Sequence, residues 1–237
     1  MITLLNKDCM TVMSGYPDKY FDLAIVDPPY GIDRANNVLT IGKNTSRKNS
    51  YVRRSDYKGK KWDNKSPDKC YFIELLRVSK NQIIFGANHF IEDIPNANSS
   101  CWIIWDKVDA LPTYASGEMA WTSFDSPMKI VPLRHSGFKR GISVGKESKI
   151  MYNIPFSGAM DIHPTQKPVQ LYKWLLKNYS KTTDKIIDTH GGSMSSVIAC
   201  YDFGITEMVC CEIDKEYFDT AVKRFENHKL QQKIEFK

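Results

Sequence analysis

The chain has 237 residues, of which 42% are hydrophobic and 12% aromatic, and its formal net charge is +6. These values are ordinary for a soluble globular protein and leave room for one substantial α/β domain with a small addition. We expect neither a signal peptide nor a membrane span, because no apolar run is long enough. Six cysteines without metal-site spacing predict free thiols, no metal site and a reducing, cytoplasmic location.

Two short apolar strands open the chain, and each is followed by an acid. Ile2 to Leu5 precedes Asp8, and Leu23 to Val26 runs directly into Asp27-Pro28-Pro29-Tyr30. Two consecutive prolines cannot donate to a sheet ladder, so the chain must leave the sheet there. A carboxylate, a rigid carbonyl and an aromatic ring at one strand end suit the capture of a flat base with an amino group. Alone, the tetrapeptide would fit equally well a strand that ends in a proline-rich turn.

A strongly basic segment follows. Between Arg34 and Lys61 there are nine Lys or Arg residues and a single acid, Asp56. The segment lacks helical or strand periodicity, which predicts a long loop over residues 31–65, and a phosphate backbone is its natural partner. A solvated insertion without function is the alternative. The candidate DNA contacts here are Arg47, Lys48, Arg53 and Arg54.

The next elements alternate between helix and strand. Ser66-Pro67-Asp68 predicts a helix start with Ser66 as the N-cap, and apolar residues follow at helical spacing as far as Ser79. Three strands are then predicted, at Gln82 to Phe85, Cys101 to Trp105 and Glu118 to Trp121.

The character of the sequence changes between residues 122 and 162. Apolar residues become scattered, and six basic residues outnumber three acids. We interpret this stretch as a small, irregular β-rich insertion, in which Lys139 and Arg140 are candidate DNA contacts.

The last third has the pattern of a βαβ unit. Its strands are predicted at Lys185 to Asp188 and Met208 to Glu212, its turn at Thr189 to Ser193 and its helix at Ser195 to Asp202. A parallel sheet with right-handed crossovers is therefore expected, followed by a final amphipathic helix.

Three acids lie where the predicted strands end, namely Asp8, Asp188 and Glu212. Ligands of open parallel sheets bind at this edge, although each acid alone would fit a helix N-cap or a surface carboxylate as well. The G-x-G-x-x-G pattern and the P-loop are absent, which argues against dinucleotides and nucleoside triphosphates. A turn that offers acids without a phosphate cradle suits a cationic cofactor such as S-adenosylmethionine.

These segments together resemble the β-type DNA amino-methyltransferases, which act on adenine N6 or cytosine N4. Asp27-Pro28-Pro29-Tyr30 resembles motif IV, His163 to Pro168 (HPTQKP) motif X, and Asp188 to Ser196 (DTHGGSMSS) motif I. CCEID, ending at Asp214, is similar to motif II, and the corner from Leu5 to Asp8 to motif III. FGANHF, WIIWDK and EMAWTSF resemble the later catalytic-side motifs.

The resemblance implies a circularly permuted Rossmann-like methyltransferase fold of α/β class, with a seven-stranded, mostly parallel sheet and one reversed strand. Residues 1–121 would form its catalytic part, residues 122–162 a target-recognition insertion, and residues 163–237 the cofactor-binding part of the same domain. The implied catalytic residues are Asp27, Pro28, Pro29 and Tyr30. The implied cofactor-binding residues are Asp8, Cys9, Asp27, His163, Thr165, Gln166, Lys167, Asp188, Thr189, His190, Gly191, Gly192, Ser193, Ser195, Glu212, Ile213 and Asp214.

The implied activity is methyl transfer from S-adenosyl-L-methionine to adenine N6 in double-stranded DNA. Asp27 and the Pro28 carbonyl would accept hydrogen bonds from the amine of a flipped base, and Tyr30 would stack on that base. Cytosine N4, an RNA target and a catalytically weakened DNA-binding protein remain alternatives. A homodimer and a cognate restriction endonuclease are further partners that the resemblance raises.

One position departs from the family pattern. Motif I of many members reads D-P-F-x-G-S-G-T, whereas this chain has Thr189, His190 and Met194 at three of those places. Met194 replaces a glycine, and it would crowd the cofactor if that glycine needs a positive φ.

Overall fold

A single mixed sheet of eight strands organises the part of the chain that the structure describes. The structure is a computed structural model, and it describes residues 1–32, 65–108, 115–134 and 166–231. The strands, numbered in chain order, are β1 (Ile2–Leu5), β2 (Phe21–Val26), β3 (Ser79–Phe85), β4 (Trp102–Asp106), β5 (Gly117–Thr122), β6 (Lys129–Pro132), β7 (Lys185–Asp188) and β8 (Glu207–Cys211). Across the sheet they lie in the order β1-β8-β7-β2-β3-β5-β4-β6. This arrangement confirms the expected α/β class and the mostly parallel sheet. Among the described residues, no helix is long and apolar enough to cross a membrane.

The carboxyl-terminal elements match the predicted βαβ unit closely. They are β7 (Lys185–Asp188), α4 (Ser195–Phe203), β8 (Glu207–Cys211) and α5 (Lys215–Leu230), after α3 (Val169–Tyr179). Strand β1 (Ile2–Leu5) pairs in parallel with β8, and Ile2 lies opposite Met208. The first strand therefore completes the sheet beside the last one, as the circular permutation requires.

The catalytic half begins with α1 (Cys9–Ser14) and β2 (Phe21–Val26), followed by α2 (Lys69–Val78) and β3 (Ser79–Phe85). The predicted N-cap of α2 was wrong. Asp68, not Ser66, caps the helix, because its carboxylate accepts hydrogen bonds from the backbone N–H groups of Cys70 and Tyr71. Ser79 was expected on the helix, yet it begins β3.

Three further strands complete the sheet beyond β3. They are β4 (Trp102–Asp106), β5 (Gly117–Thr122) and β6 (Lys129–Pro132). Strand β5 is antiparallel to both β3 and β4, so it is the one reversed strand that was expected. The strand count was wrong by one, because β6 pairs in parallel with β4 and adds an eighth strand inside the stretch that was assigned to the insertion. The domain boundaries themselves stay a prediction.

Apolar side chains cover both faces of the sheet. On one face Leu23 and Ile25 of β2 pack with the buried residues of α3 and α4. On the other face Ala24 and Val26 pack with those of α1 and α2. Side chains of β2 are thus buried on both faces of the sheet, as in a central strand. Its carboxyl end therefore lies in the middle of the sheet, between β7 and β3.

Candidate active site

Several polar side chains meet at the carboxyl edge of the parallel strands. Asp27 follows β2 directly, Asp188 is the last residue of β7, and Glu212 follows β8. Because β5 is reversed, its amino end lies at this same edge, where Glu118 stands opposite Trp105 of β4. Parallel strands direct their carboxyl ends to one edge, which is where ligands of such sheets bind.

Asp27 is held by two partners. The Tyr30 hydroxyl donates to Oδ1 at 2.8 Å, and the Lys167 ammonium donates to Oδ2 at 2.5 Å. Lys167 also lies 3.2 Å from the Tyr30 hydroxyl, and it reaches the site from the segment just before α3. The structure thus brings Lys167, which was predicted on the cofactor side, onto the acid of the Asp-Pro-Pro-Tyr segment.

Two more charged residues, Glu118 and Lys107, belong to this site, and no role was predicted for either. Glu118 Oε2 lies 3.1 Å from Lys167 Nζ, and Glu118 Oε1 lies 2.6 Å from Lys107 Nζ. Both lysine side chains are almost completely buried, at 2% and 4% exposure. Both new residues lie in quoted motifs, WIIWDK and EMAWTSF, so the available signal was a charge beside each apolar strand.

Burial and charge oppose each other in this group. Burial raises the pKa of Asp27, and the Lys167 ammonium offsets that rise only in part. Burial acts on Glu118 in the same direction, but Lys167 and Lys107 outweigh it and lower its pKa to about 2. Burial would lower the pKa of Lys167, yet the carboxylates of Asp27 and Glu118 raise it. Glu118 is therefore firmly ionised, and Asp27 is the more easily protonated acid.

The Tyr30 ring is fixed by close packing. Gly86 has φ of +69°, and a Cβ at that position would stand 2.0 Å from the Tyr30 ring. The ring is also stacked with that of His89, at a centroid distance of 5.0 Å and an interplanar angle of 15°. Only glycine permits this approach of the β3 end to Tyr30. One face of the expected stacking residue therefore already carries a flat ring.

The predicted cofactor turn is shaped by Asp188. Its Oδ1 accepts the backbone N–H of His190 at 3.0 Å, and its Oδ2 accepts the Ser196 hydroxyl at 2.5 Å. Burial raises the pKa of Asp188 to about 7. With 2% exposure and both oxygens engaged, Asp188 holds the turn in place.

The side chains of the turn face α2. Thr189 Oγ1 lies 2.7 Å from the Tyr71 hydroxyl and 2.9 Å from His190 Nδ1. Burial lowers the pKa of His190 to about 4, so its imidazole is neutral near pH 7. Thr189 and His190 are thus tied to the helix behind them.

Glu212 closes the turn from β8. Its Oε2 accepts the Gly192 N–H and its Oε1 accepts the Asp214 N–H, both at 2.8 Å. Burial raises the pKa of Glu212. Each carboxylate oxygen carries two lone pairs, so both atoms retain acceptor capacity after these bonds.

Met194 adopts the backbone conformation that the family glycine would favour. Its φ is +54°, in the left-handed region. Its side chain is fully buried among the apolar residues of the α3 and α4 side of the sheet. The positive φ on which the possible crowding depended is therefore present, but the side chain packs into the core.

Some predicted cofactor residues act as helix caps or braces. Asp8 caps α1 by accepting the Thr11 N–H, and Asp214 caps α5 through the N–H groups of Glu216 and Tyr217. The remaining predicted residues at this edge include Cys9, whose pKa burial raises to about 11, the exposed Ile213, and Ser193, Ser195, Gly191 and Gln166, which are buried. Their cofactor roles stay predictions, as do the catalytic roles of Pro28 and Pro29.

Arg224 of α5 reaches the turn from outside. Its Nη1 donates to the Ser193 carbonyl at 2.5 Å and to Ser195 Oγ at 3.1 Å. This residue was missed from the sequence, because it lies on a helix whose apolar stripe dominated the interpretation.

The candidate DNA contacts and two cofactor candidates lie outside the described residues. They are Arg47, Lys48, Arg53, Arg54, Lys139, Arg140, His163 and Thr165. Within the described ranges, no group of three or more His, Cys, Asp or Glu residues could hold a metal ion.

Comparison with known proteins gives consistent results. A family model described as DNA methylase (N6_N4_Mtase) matches residues 140–223. The Type II methyltransferase M2.MboI of Moraxella bovis is 25% identical over 223 residues, which cover 83% of this chain and 77% of that protein.

Solved structures share the fold. M1.HpyAVI, crystallised as a complex with SAM, has a TM-score of 0.52 at 19% identity, covering 94% of this chain and 100% of that one. The PvuII DNA methyltransferase, described as cytosine-N4-specific, has a TM-score of 0.57 at 10% identity, covering 96% and 90%. TTHA0409 of Thermus thermophilus has a TM-score of 0.55 at 15% identity, covering 98% of both chains.

The motif order, the permuted sheet and these similarities agree with one another. The fold is shared with these solved DNA methyltransferases, and residues 140–223 are similar to the DNA methylase family.

Proposed function

We propose that this chain transfers a methyl group from S-adenosylmethionine to adenine N6 in duplex DNA. The observation that carries the proposal is the Asp27 carboxylate, fixed by Tyr30 and Lys167 at the end of the central strand. The similarity to DNA methylases supports the reaction class. The choice of adenine rests on Asp27, because Asp before Pro-Pro-Tyr is more typical of the adenine enzymes in this family.

The residues around the turn fit the proposed cofactor. Glu212 would accept the ribose hydroxyls through the remaining lone pairs of its oxygens. The neutral His190 supplies a flat ring, and Asp8 lies close enough to it to influence its pKa. S-adenosylmethionine would supply a methyl group on a cationic sulfur, and acids at this edge favour a cationic ligand.

The residues at Asp27 would prepare the target amine. An exocyclic amino nitrogen is a poor nucleophile, because its lone pair is delocalised into the ring. Asp27 and the Pro28 carbonyl would accept its two hydrogens and draw the nitrogen toward tetrahedral geometry. The C–N bond would then form as the C–S bond breaks with its electron pair returning to sulfur, and Asp27 would take the proton that the amine loses.

The state of Asp27 sets a pH dependence. Asp27 must be ionised to accept both the hydrogen bond and the proton, and burial raises its pKa. The transfer rate should therefore rise with pH through that raised pKa. The target base must leave the duplex first, at a cost of a few kcal/mol. Phosphate contacts of the basic segments would offset this cost in a salt-dependent manner.

The test is methyl transfer from labelled S-adenosylmethionine to unmodified duplex DNA, followed by nucleoside analysis. Asp27→Asn is the loss-of-function variant, and Asp219→Asn, an exposed carboxylate on α5, is the matched control. Label in N6-methyladenine that disappears only with Asp27→Asn would support the proposal.

Two other outcomes are informative. Label in N4-methylcytosine would keep the mechanism and overturn the choice of base, and the fold shared with the cytosine-N4-specific PvuII enzyme makes this the second candidate. DNA binding without any transfer would favour the catalytically weakened homologue. A homodimer and a restriction partner stay predictions.

A further inference from the structure

The active site contains two carboxylates and two ammonium groups in one buried row. Lys107 contacts Glu118 at 2.6 Å, Glu118 contacts Lys167 at 3.1 Å, and Lys167 contacts Asp27 at 2.5 Å. The carboxylate side chains are only 19% and 17% exposed, and the lysines less. Burying four charges is costly unless all are compensated, so such a row at a strand edge points to function.

Lys167 stands between two acceptors but serves them unequally. It donates hydrogen bonds to Asp27 Oδ2 and to the Tyr30 hydroxyl, while Glu118 Oε2 accepts no hydrogen bond from any described residue. Nζ lies in ion-pair contact with Oε2 at 3.1 Å, but the contact does not have the geometry of a hydrogen bond. Glu118 Oε2 is therefore a buried acceptor beside the Lys167 ammonium that can still accept a hydrogen bond.

We propose that Glu118 is a positioning residue for methyl transfer, because it takes over the Lys167 ammonium when the target amine engages Asp27. The inference deepens the proposed function and rests on it. A carboxylate oxygen that already accepts from an ammonium is a weaker acceptor for an incoming amine. Release of Lys167 toward Glu118 restores the acceptor strength of Oδ2 at the moment when it is needed.

The burial of Lys167 makes a second partner necessary. At 2% exposure its ammonium has almost no access to water, so losing Asp27 without replacement would leave an unpaired buried charge. Glu118 prevents this, because it stays ionised and lies only 3.1 Å away. Lys107 balances Glu118 on its other oxygen, so the row remains neutral whichever carboxylate holds Lys167.

A melting experiment without ligands tests whether Lys167 is shared. Asp27→Asn, Glu118→Gln and the double variant are compared with the wild type by thermal unfolding. If either carboxylate can hold Lys167, each single variant keeps one partner, and the double variant loses more in Tm than the two single losses together. Additive losses would overturn the proposal.

A kinetic experiment tests the positioning role. Single-turnover methyl transfer to unmodified plasmid DNA should fall about tenfold or more in Glu118→Gln, while the dissociation constant of S-adenosylmethionine stays within about twofold. Glu118→Asp should recover part of the rate. Glu226→Gln is the matched control, because it makes the same chemical change in an exposed ion pair on α5. This variant should transfer the methyl group at the wild-type rate.

A neutral double variant separates positioning from stability. Lys107→Met with Glu118→Gln removes one charge of each sign and leaves the pair of Asp27 and Lys167 intact. Its Tm should recover relative to Glu118→Gln, but its transfer should stay slow. A wild-type rate of methyl transfer in Glu118→Gln, or in Lys107→Met with Glu118→Gln, would overturn the proposal. If the wild type itself transfers no methyl group, the proposed function fails, and the melting comparison still decides whether Lys167 is shared.

Discussion

Met194 occupies a left-handed backbone conformation, and substitutions by glycine and by alanine test that conformation directly. Both variants lose a side chain that is fully buried, and truncating a buried Met costs about 2–5 kcal/mol. At φ of +54° alanine keeps the strain, whereas glycine releases about 1–2 kcal/mol of it. We expect Met194→Gly to be less stable than the wild type, yet more stable than Met194→Ala by about 1 kcal/mol.

Urea denaturation measures this order, and Ala199, inside the helix that Met194 precedes, provides the control. At Ala199, in the interior of α4, glycine should be less stable than alanine by roughly 0.5–1 kcal/mol, so the two sites should differ in sign. Alanine as stable as glycine at position 194 would refute the left-handed conformation. Because the Met194 side chain points into the core, we also expect S-adenosylmethionine affinity to change less than about tenfold in Met194→Gly. A larger gain in affinity would show that the side chain crowds the cofactor.

Two further predictions concern Tyr30 and Asp188. Gly86→Ala places a Cβ 2.0 Å from the Tyr30 ring and should slow methyl transfer about 100-fold. Gly204→Ala is the control, because Gly204 also has a positive φ but a Cβ there would meet nothing within 4 Å, so this variant should lose only stability. Equal transfer rates in the two variants would contradict the packing argument. Burial raises the pKa of Asp188 from 3.8 to about 7, so between these pH values the folded state holds a proton that the unfolded state has released. The free energy of unfolding of the wild type should therefore fall as the pH rises from 3.8 to about 7. Asp188→Asn removes this component, so its stability relative to the wild type should grow by up to roughly 4 kcal/mol across that window, and parallel pH profiles in urea denaturation would count against the raised pKa.

Sequence patterns were sufficient where the signal is local. The apolar run of β2 followed by two prolines predicted both the strand and its abrupt end. The βαβ unit that contains Asp188 and Glu212 was predicted almost residue by residue, because strand, glycine turn and helix follow each other without interruption.

Sequence patterns failed where the contact is distant in the chain. Lys167 and Asp27 are 140 residues apart, and no local periodicity connects them. Glu118 looks like an ordinary polar residue of a strand. Its role becomes visible only when β5 is known to be reversed, since this orientation brings its first residues to the edge where β2 ends. The short β6 was missed because only Val131 of its four residues is buried.

The pairing of β1 with β8 has a consequence for synthesis of the chain. Ile2 finds its sheet partner at Met208, so the first strand made must wait for nearly the last. At ribosomal rates of about 5–20 residues per second, this wait is roughly 10–40 seconds. During that time β1 presents unpaired backbone, and the outer side of β7 does so once residues 185–188 have been made. Such unpaired edges invite contact with other nascent chains. Because of the permutation, β1 can join the sheet only after β8 has been made. A chain that ends before β8 lacks the strand with which β1 pairs.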